Sequence, residues 1–524
     1  MRVELVLTCV VFLLQSVVSL RTDRQYWIDL AQNELDEALQ TKWNVNTAKN
    51  VIIFVGDGMG PNTVTATRIY KGGESHRLVY EKFPHMGLLK TYSADKMVPD
   101  SSSTVTALFN GVKTNQNTVA VDATVQRRDC ARSLKEEARL PSLATHALNA
   151  GKAAGFVTTM RVTHATPAPL YAHSADRSWE CDGFMPDTVT ECKDIARQLI
   201  EDEPGRNLNV ILGGGRNTLV TPQDPSDNQW NCERRDGRDL IETYKKDKES
   251  RNLKYSVVTN NKELNGVNFN ETDYLMGIFA NSHLSLEYQR DEGPEGMPSI
   301  SDMTGAAINV LRRNSKGFFL MVEGGNIDMA HHRGRAKVAI DEAAAMEEAV
   351  RLAVEMTDEE DTLIIVTSDH THTLSINGYP DRGSNVFGIA QPSSFDGVNY
   401  TTLSYSVGGP ETFQFYAETE DNETTVRRRE ASLDQTDSMN YHQIAAIRDV
   451  EGSHGGGDVT IYARGPYAHL FHNVHEQHYV FHAVMHAAKL DKTTDSSAQA
   501  TASAVTVIFL LAIPIKRYLL PNLQ

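Results

Sequence analysis

Basic residues are in short supply. The 524-residue chain carries 51 Lys and Arg against 68 Asp and Glu, a formal net charge of −17. That balance argues against a nucleic-acid partner, because phosphate backbones recruit basic surfaces. No nucleic-acid-binding domain is expected. An acidic enzyme can still act on phosphate if metal ions make its pocket locally positive. Nucleotide-binding loops are missing as well. "GDGMG" at Gly56–Gly60 fails the spacing G-x-G-x-x-G, and no Lys-Ser/Thr follows it. "GGGR" at Gly213–Arg216 has no P-loop continuation and reads as a strand-to-loop turn. Internal repeats are absent, and no low-complexity segment precedes the C-terminal tail. Histidine is absent from "MVPDSSSTVTALFNG" (Met97–Gly111), a proline-stiffened entry into a serine-rich helix start. A nucleophile there would need an activator from elsewhere in the chain.

Long apolar runs are also lacking. The chain opens "MRVELVLTCVVFLLQSVVSL", with a basic residue, a short apolar run from Leu5 to Leu14, and small or β-branched residues before Arg21. This fits a cleaved secretory signal over residues 1–19, since the run is short for a membrane span. Cleavage there removes Cys9 and leaves Cys130, Cys181, Cys192 and Cys232. An even count in a secreted chain suggests two disulfides, with three pairings open. At the other end, small polar residues precede a spacer and an apolar run from Ala504 to Ile515. That order suits a glycolipid (GPI) signal with attachment at Ser496 or its neighbours Asp495 and Ser497, residues 497–524 being removed. Lys516 and Arg517 interrupt this tail. A spanning helix is the competitor, but the run is well short of ~20 residues. Sequons at Asn270, Asn399 and Asn422 suit an extracellular surface. The expectation is a cell-surface protein held on the outer leaflet of the plasma membrane.

From Lys49 onward, "NVIIFVGDG", "AAGFVTT", "LNVILGGG", "GFFLMVEGG" and "DTLIIVTSDH" are apolar runs of strand length that end in Gly or polar residues. Amphipathic stretches lie between them at 140–150, 192–200, 303–313 and 336–354. The alternation predicts an α/β fold, doubly wound, with a largely parallel central sheet flanked by helices. Over residues 376–450 the texture turns to Tyr, Thr and turn residues, which predicts a mostly β or loop insertion at the rim. "DVTIYARG" then returns as a strand and "HEQHYVFHAVMHAAKL" as the last helix.

Sites in such sheets form at the carboxyl ends of the strands. Asp57 ends "VIIFVGD", Glu323 ends "FFLMVE", and Asp369 and His370 end "LIIVTSDH". Singly, each reads as a turn or cap residue. Together they put three carboxylates and an imidazole on one edge, which costs several kcal/mol unless cations or protons offset the repulsion. Divalent metal is the obvious remedy. In "EGGNIDMAHHRG", Asp328 and His332 have the i,i+4 spacing that points both side chains at one ion if a helix begins there. His454 lies among the glycines of "EGSHGGGD", and Thr166 in "THATPAP" offers a hard oxygen suited to Mg2+. Imidazole with carboxylate suits Zn2+.

Six stretches, "NVIIFVGDGMG", "VPDSSSTVT", "TTMRVTHATPAPLYAHSADR", "FFLMVEGGNIDMAHH", "TSDHTHT" and "GSHGGGDVTIYARGPYAHL", occur in this order. Together they resemble the animal alkaline phosphatases of the membrane-bound, GPI-anchored type, from about Trp43 to Leu490. The resemblance implies a catalytic domain over 20–496, with a crown-like insertion at 376–450. It implies two zinc ions and one magnesium ion. Asp328, His332 and His454 match the ligands of one zinc. Asp57, Asp369 and His370 match those of the second, which also holds the oxygen of Ser101. Asp57, Thr166 and Glu323 match the magnesium ligands, with His164 in the neighbouring outer shell. Ser101 matches the nucleophile that becomes a phosphoserine, activated by zinc rather than by a histidine base. Arg177 matches the guanidinium that grips phosphoryl oxygens, and Asp100 its orienting partner. The implied activity is broad hydrolysis of phosphate monoesters with release of inorganic phosphate, by a homodimer. Cys130 and Cys192 match a family disulfide, leaving Cys181 with Cys232.

Some positions depart from the family. Val105 stands where Gly or Ala is usual, and Met329 where relatives carry His or Lys. Phe279 is followed by Ala280 instead of the Glu that contributes to a calcium site in vertebrate relatives, so calcium is not carried over. Two alternatives stand beside the phosphomonoesterase reading. One is a two-zinc phosphodiesterase of the same superfamily, which would not need Arg177 or the third metal. The other is a catalytically idle surface receptor on the same scaffold.

Overall fold

Each apolar run becomes a strand because both of its faces are covered. In the computed structural model, which describes residues 24–490 apart from 222–231, 233 and 421–422, ten strands form the central sheet. They are β1 (Asn50–Gly56), β2 (His85–Lys90), β3 (Ala153–Arg161), β4 (Val210–Gly214), β5 (Tyr255–Val258), β6 (Tyr274–Ile278), β7 (Phe318–Gly324), β8 (Thr362–Ser368), β9 (Val459–Arg464) and β10 (Asn473–Glu476). Their order is β10-β2-β9-β8-β1-β7-β3-β4-β6-β5. Neighbours run parallel except at β9, which opposes both β8 and β2. The largely parallel, helix-flanked sheet expected from the sequence is present.

Along β1, Val51, Ile53 and Val55 enter one apolar cluster while Ile52 and Phe54 enter the other. The first layer is built by Val105 and Phe109 of the Ser101–Asn110 helix, Leu143 of Leu143–Asn149, Ile195 of Ile195–Glu201 and Val484 of Tyr479–Ala488. The second is built by Val64 of Pro61–Gly72, Met303 and Ile308 of Ile300–Leu311, and Val338 and Met346 of Ala336–Met356. Burying such a side chain contributes about 1.5–3 kcal/mol, so a run apolar on both faces is stable only between two layers.

The register positions the site. β1 lies between β7 and β8, with Val55 opposite Glu323 and Gly56 opposite both Gly324 and Ser368. The carboxyl ends of the three middle strands are therefore level, and Asp57, Glu323 and Asp369 share one edge.

Over 376–450 no α-helix occurs among the described residues. Leu374–Ile376, Leu403–Gly408 and Ala445–Arg448 form a three-stranded sheet, beside hairpins Ile389–Pro392/Asn399–Thr401 and Phe415–Glu420/Glu423–Arg428. Its apolar residues Leu374, Phe387, Leu403 and Tyr405 pack on Ala66, Ala336 and Ile340. Disulfides join Cys130 to Cys192 and Cys181 to Cys232, with Cα–Cα distances of 6.0 and 6.1 Å. Asn270 is exposed, whereas Asn399 is half-buried and its N–H donates to Glu430 Oε2 at 3.1 Å. The signal segment 1–19, Asn422, Ser496 and the tail 497–524 lie outside the described residues. Among those described, no helix is long and apolar enough to cross a membrane.

The last helix starts later than the sequence suggested. Asn473–Glu476 pairs with β2, so "HE" completes strand β10 and the helix runs Tyr479–Ala488. Residues 24–40 form a further helix whose side chains are all at least partly exposed, including Trp27, Leu35 and Leu39.

One buried acid yields a stability prediction. Glu342 in Ala336–Met356 is buried, and its Oε1 accepts the Glu287 N–H at 2.6 Å. Burial pushes its carboxyl up to about 8, with Glu287 and Asp341 adding repulsion. Unfolded, it titrates near ~4.3. Between these values the unfolded chain has lost a proton that the folded one keeps, so stability falls as pH rises. Glu342→Gln lacks this titration and can keep the hydrogen bond. Its thermal midpoint relative to the parent is expected to rise from pH 5 to pH 9. A difference that stays flat with pH would refute the burial argument.

Candidate active site and metal centre

Asp100 is the N-cap of the Ser101–Asn110 helix, with its backbone extended at φ −110°. Its Oδ1 accepts from Ser103 N–H at 3.3 Å and Asn117 N–H at 3.1 Å. Its Oδ2 accepts from Ser102 Oγ at 2.6 Å and Arg177 Nη1 at 3.0 Å. Burial alone would raise this carboxyl, but Arg177 and the hydrogen bonds hold it at about 2. Ser101 is thereby the first helical residue, buried at the positive end of the helix. Its Oγ lies 3.3 Å from His370 Nε2.

Three adjoining groups of ligand atoms lie beside it, the second touching the hydroxyl through His370 and the others joined to the second by the His370–His454 ring stack at 3.5 Å and by the shared Asp57. In the first, the Asn326–His332 helix sets Asp328 Oδ2 3.2 Å from His332 Nε2, four residues on. His454 Nε2 lies 3.5 Å from Asp328 Oδ1 and 3.1 Å from His332 Nε2. His332 Nδ1 bonds to Gly452 O at 2.5 Å and His454 Nδ1 to Pro99 O at 2.8 Å. With both Nδ1 atoms donating, the two Nε2 atoms face each other as lone pairs unless a cation or proton lies between.

The second group is Asp57, Asp369 and His370. His370 Nε2 is 3.4 Å from Asp57 Oδ1 and 3.3 Å from Asp369 Oδ2. Gly58 N–H holds Asp369 Oδ1 at 3.0 Å, Thr104 Oγ1 reaches Oδ2 at 3.3 Å, and Gln477 Nε2 donates to the Asp369 carbonyl at 2.7 Å. Gly58 sits at φ +67°, and a Cβ there would come within 2.6 Å of the His372 ring. This is why the strand end reads "GDG".

The third group is Asp57, Glu323 and His164, whose ligand atoms lie within 4.8 Å of one another. Thr166 Oγ1 donates to Asp57 Oδ2 at 3.3 Å, and Thr158 Oγ1 to Glu323 Oε2 at 2.5 Å. Arg177 Nη2 lies 3.4 Å from His164 Nε2.

The chemistry of the donor set fits divalent cations. Asp57 Oδ1 and Glu323 Oε1 are buried without a hydrogen-bond partner. Burial and then Asp369, Asp328 and Glu323 push the Asp57 carboxyl well up. Burial raises Glu323 to about 7 and Asp369 to about 6, and lowers the His370 and His454 imidazoles to about 4. Burial would raise Asp328 too, but His332 and His372 outweigh it and hold it well below the carboxylate range. Asp57, Glu323 and Asp369, made costly to ionise beside the neutral His370 imidazole, are what a bound cation stabilises. In the Asp328 group, burial would lower His332, but Asp328 outweighs it and holds the imidazole up at about 9, so a proton fills the place that a cation would take.

All the residues singled out from the sequence are thus brought together: Asp57, Asp100, Ser101, His164, Thr166, Arg177, Glu323, Asp328, His332, Asp369, His370 and His454. A family model, "Alkaline phosphatase", matches residues 48–490.

The chain belongs to the alkaline phosphatase family.

The tissue-nonspecific alkaline phosphatase of Gallus gallus is 42% identical over 513 residues, 94% of this chain and 95% of that protein. The membrane-bound alkaline phosphatase of Bombyx mori is 38% identical over 480 residues, 89% of this chain and 86% of that protein. Alkaline phosphatase from Thermus thermophilus shares the fold, with a TM-score of 0.58 at 24% identity, covering 87% of this chain and 94% of that one. The protein is therefore an enzyme of the alkaline phosphatase family carrying clusters of metal-ligand residues.

Sequence reasoning missed the residues that hold these candidate ligands in place. His372 Nε2 lies 2.5 Å from Asp328 Oδ1. Its signal was present in "DHTH", where alternate positions of an extended segment share a face. Thr158, Thr104 and Gln477 carried no comparable signal. Val105 is fully buried against the sheet, so the helix behind Ser101 accommodates its extra bulk. Ala280 O accepts the N–H groups of Gly215 and Arg216 at 3.0 and 3.1 Å.

Proposed function

We propose that the protein hydrolyses phosphate monoesters through a phosphoserine at Ser101, in a site holding two zinc ions and one magnesium ion. The carrying observation is the convergence of three ligand groups on one buried hydroxyl beside Arg177. Asp328, His332 and His454 would hold one zinc. Asp57, Asp369 and His370 would hold the other, next to Ser101. Asp57, Thr166 and Glu323 would hold magnesium, with His164 behind them. Bound there, the cations supply positive charge that lowers the pKa of a neighbouring hydroxyl and stabilises negative charge on oxygens.

The chain's own residues do the rest. Ser101 Oγ gives up its proton and forms the bond to phosphorus as the ester P–O bond breaks, and the departing alkoxide takes up a proton to leave as the alcohol. Water then cleaves the serine phosphate, restoring the hydroxyl and releasing inorganic phosphate. Arg177 presents the planar fork that suits two phosphoryl oxygens, and Asp100 at 3.0 Å fixes its direction. The positive end of the Ser101–Asn110 helix also favours an anion beside Ser101.

Arg177 separates this reading from diester hydrolysis, since a diester leaves fewer charged oxygens to grip. Rates on p-nitrophenyl phosphate should exceed those on bis-p-nitrophenyl phosphate, and the reverse ranking would refute the assignment. Arg177→Ala is expected to raise the phosphate inhibition constant on the order of 100-fold, the worth of two charged hydrogen bonds. Its zinc content should match the parent's. Unaltered phosphate inhibition would remove Arg177 from the site.

The setting follows the family. We place the enzyme at the cell surface, with residues 1–19 cleaved and a lipid at Ser496 replacing 497–524. Of the two sequons among the described residues, Asn270, on the surface, is the better placed for a glycan. A homodimer is supported by the exposed Trp27, Leu35 and Leu39 of the Arg24–Gln40 helix, which would bury apolar area on pairing.

A further inference from the structure

Two residues near the nucleophile adopt a backbone that side chains resist. Asn117 and Ala120 lie at φ +67° and +48°, in the left-handed region. Outside glycine this conformation is uncommon, and where it persists the surrounding structure must over-determine it. Both residues lie in the segment that follows the Ser101–Asn110 helix, and hydrogen bonds brace that segment on both sides. The hydroxyls of Thr114 and Thr118 meet at 2.7 Å, and Thr118 Oγ1 donates to Asn115 O at 2.8 Å. Val119 exchanges two backbone hydrogen bonds with Ser174, at 2.9 and 3.0 Å.

The strained peptides deliver specific contacts. Ala120 N–H donates to Thr106 Oγ1 on the nucleophile helix at 3.0 Å. Asn117 N–H donates to Asp100 Oδ1 at 3.1 Å, while Asn117 C=O accepts the Arg177 N–H at 2.9 Å. Asp100 Oδ2 in turn holds Arg177 Nη1 at 3.0 Å. A closed ring results, running from Asn117 N–H through the Asp100 carboxylate, the Arg177 side chain and the Arg177 N–H back to Asn117 C=O.

We propose that Asn117 is a positioning residue for the phosphate clamp, its left-handed backbone fixing Asp100 with one group and Arg177 with the other. The role belongs to the peptide, not to the amide side chain. Asn serves because it visits this region more readily than other non-glycine residues. An extended or right-handed backbone at 117 would turn the N–H away from Asp100 and release the anchor of the guanidinium. The proposal rests on Arg177 being the phosphate-binding group.

The test uses the metal-loaded enzyme and reads inhibition by inorganic phosphate, KM and kcat for p-nitrophenyl phosphate, metal content and thermal midpoint. Asn117→Val, whose β-branch opposes φ +67°, is expected to raise the phosphate inhibition constant and KM about tenfold, with KM moving more than kcat and metal content retained. Asn117→Gly reaches the same φ without strain and is expected to recover most of that loss. Should the valine variant fail to accumulate, Asn117→Ala carries the same reading with a rise of about threefold, half of that tenfold step on a free-energy scale. A valine variant with parental phosphate inhibition, or a glycine variant as impaired as valine, overturns the proposal. Arg177→Ala run alongside separates the two readings. Unmoved inhibition in Arg177→Ala removes both. A loss in Arg177→Ala beside an unmoved Asn117→Val overturns the positioning role alone.

Discussion

Ser101→Ala is expected to lower kcat/KM for phosphate monoesters on the order of 10^4-fold, because it removes the only side-chain atom proposed to bond to phosphorus. The hydroxyl is buried, 3.3 Å from His370 Nε2, at the start of a helix capped by Asp100. Alanine leaves that helix and its cap unaltered. Metal content and thermal midpoint should therefore stay near the parent's, and phosphate should still bind through Arg177. Stopped-time assays with radiolabelled monoester add a second readout, since the parent should trap label on serine in acid and the variant should not. A variant that retains more than about a tenth of parental activity would show that another group attacks phosphorus.

Chelation is expected to have an equally large effect. A strong chelator should abolish hydrolysis, and zinc with magnesium should restore it, because Asp57, Glu323 and Asp369 are buried together and Asp57 Oδ1 and Glu323 Oε1 have no donor. The stripped protein should also melt at a lower temperature. Protons compete for the same oxygens. Burial raises Glu323 to about 7 and Asp369 to about 6, so below those values each must lose a proton as metal enters. Apparent metal affinity should weaken as pH falls from 8 through 6. In the metal-free state the sign is opposite: raised carboxyl values favour the folded form at low pH, and that contribution is lost as pH rises through 6 and 7. Full activity in the presence of chelator, with metal shown to be absent, would end the metal reading.

Much of this was legible because strand ends are where apolar runs stop. Asp57, Glu323 and Asp369 were read from that position alone, and the level register of β1, β7 and β8 brings them together. Asp328 and His332 were read from helical spacing, and the Asn326–His332 helix supplies it. Four strands escaped the run-based reading. His85–Lys90 alternates buried and exposed residues, and Tyr255–Val258 is mostly half-buried at the sheet edge. Asn473–Glu476 is polar and pairs on one side only. Tyr274–Ile278 is apolar and five residues long, like Val210–Gly214, and carried the same signal. The reversal of β9 was equally hidden, since strand direction follows from connections, not from composition. Backbone groups were the least legible part of the site. Nothing in the letters "NQNT" states that Asn117 N–H meets Asp100.

The place of β1 in the sheet has a consequence for biosynthesis. Its partners carry Phe319 and Leu363 opposite Val51, so the strand leaves the ribosome long before either neighbour exists. At roughly 5–20 residues per second, that interval is on the order of tens of seconds. Throughout it, the run Val51–Val55 is unpaired and sticky, and no truncated nascent chain can own a working pocket. Chaperones met during synthesis must therefore shelter an early segment whose completion depends on a late one.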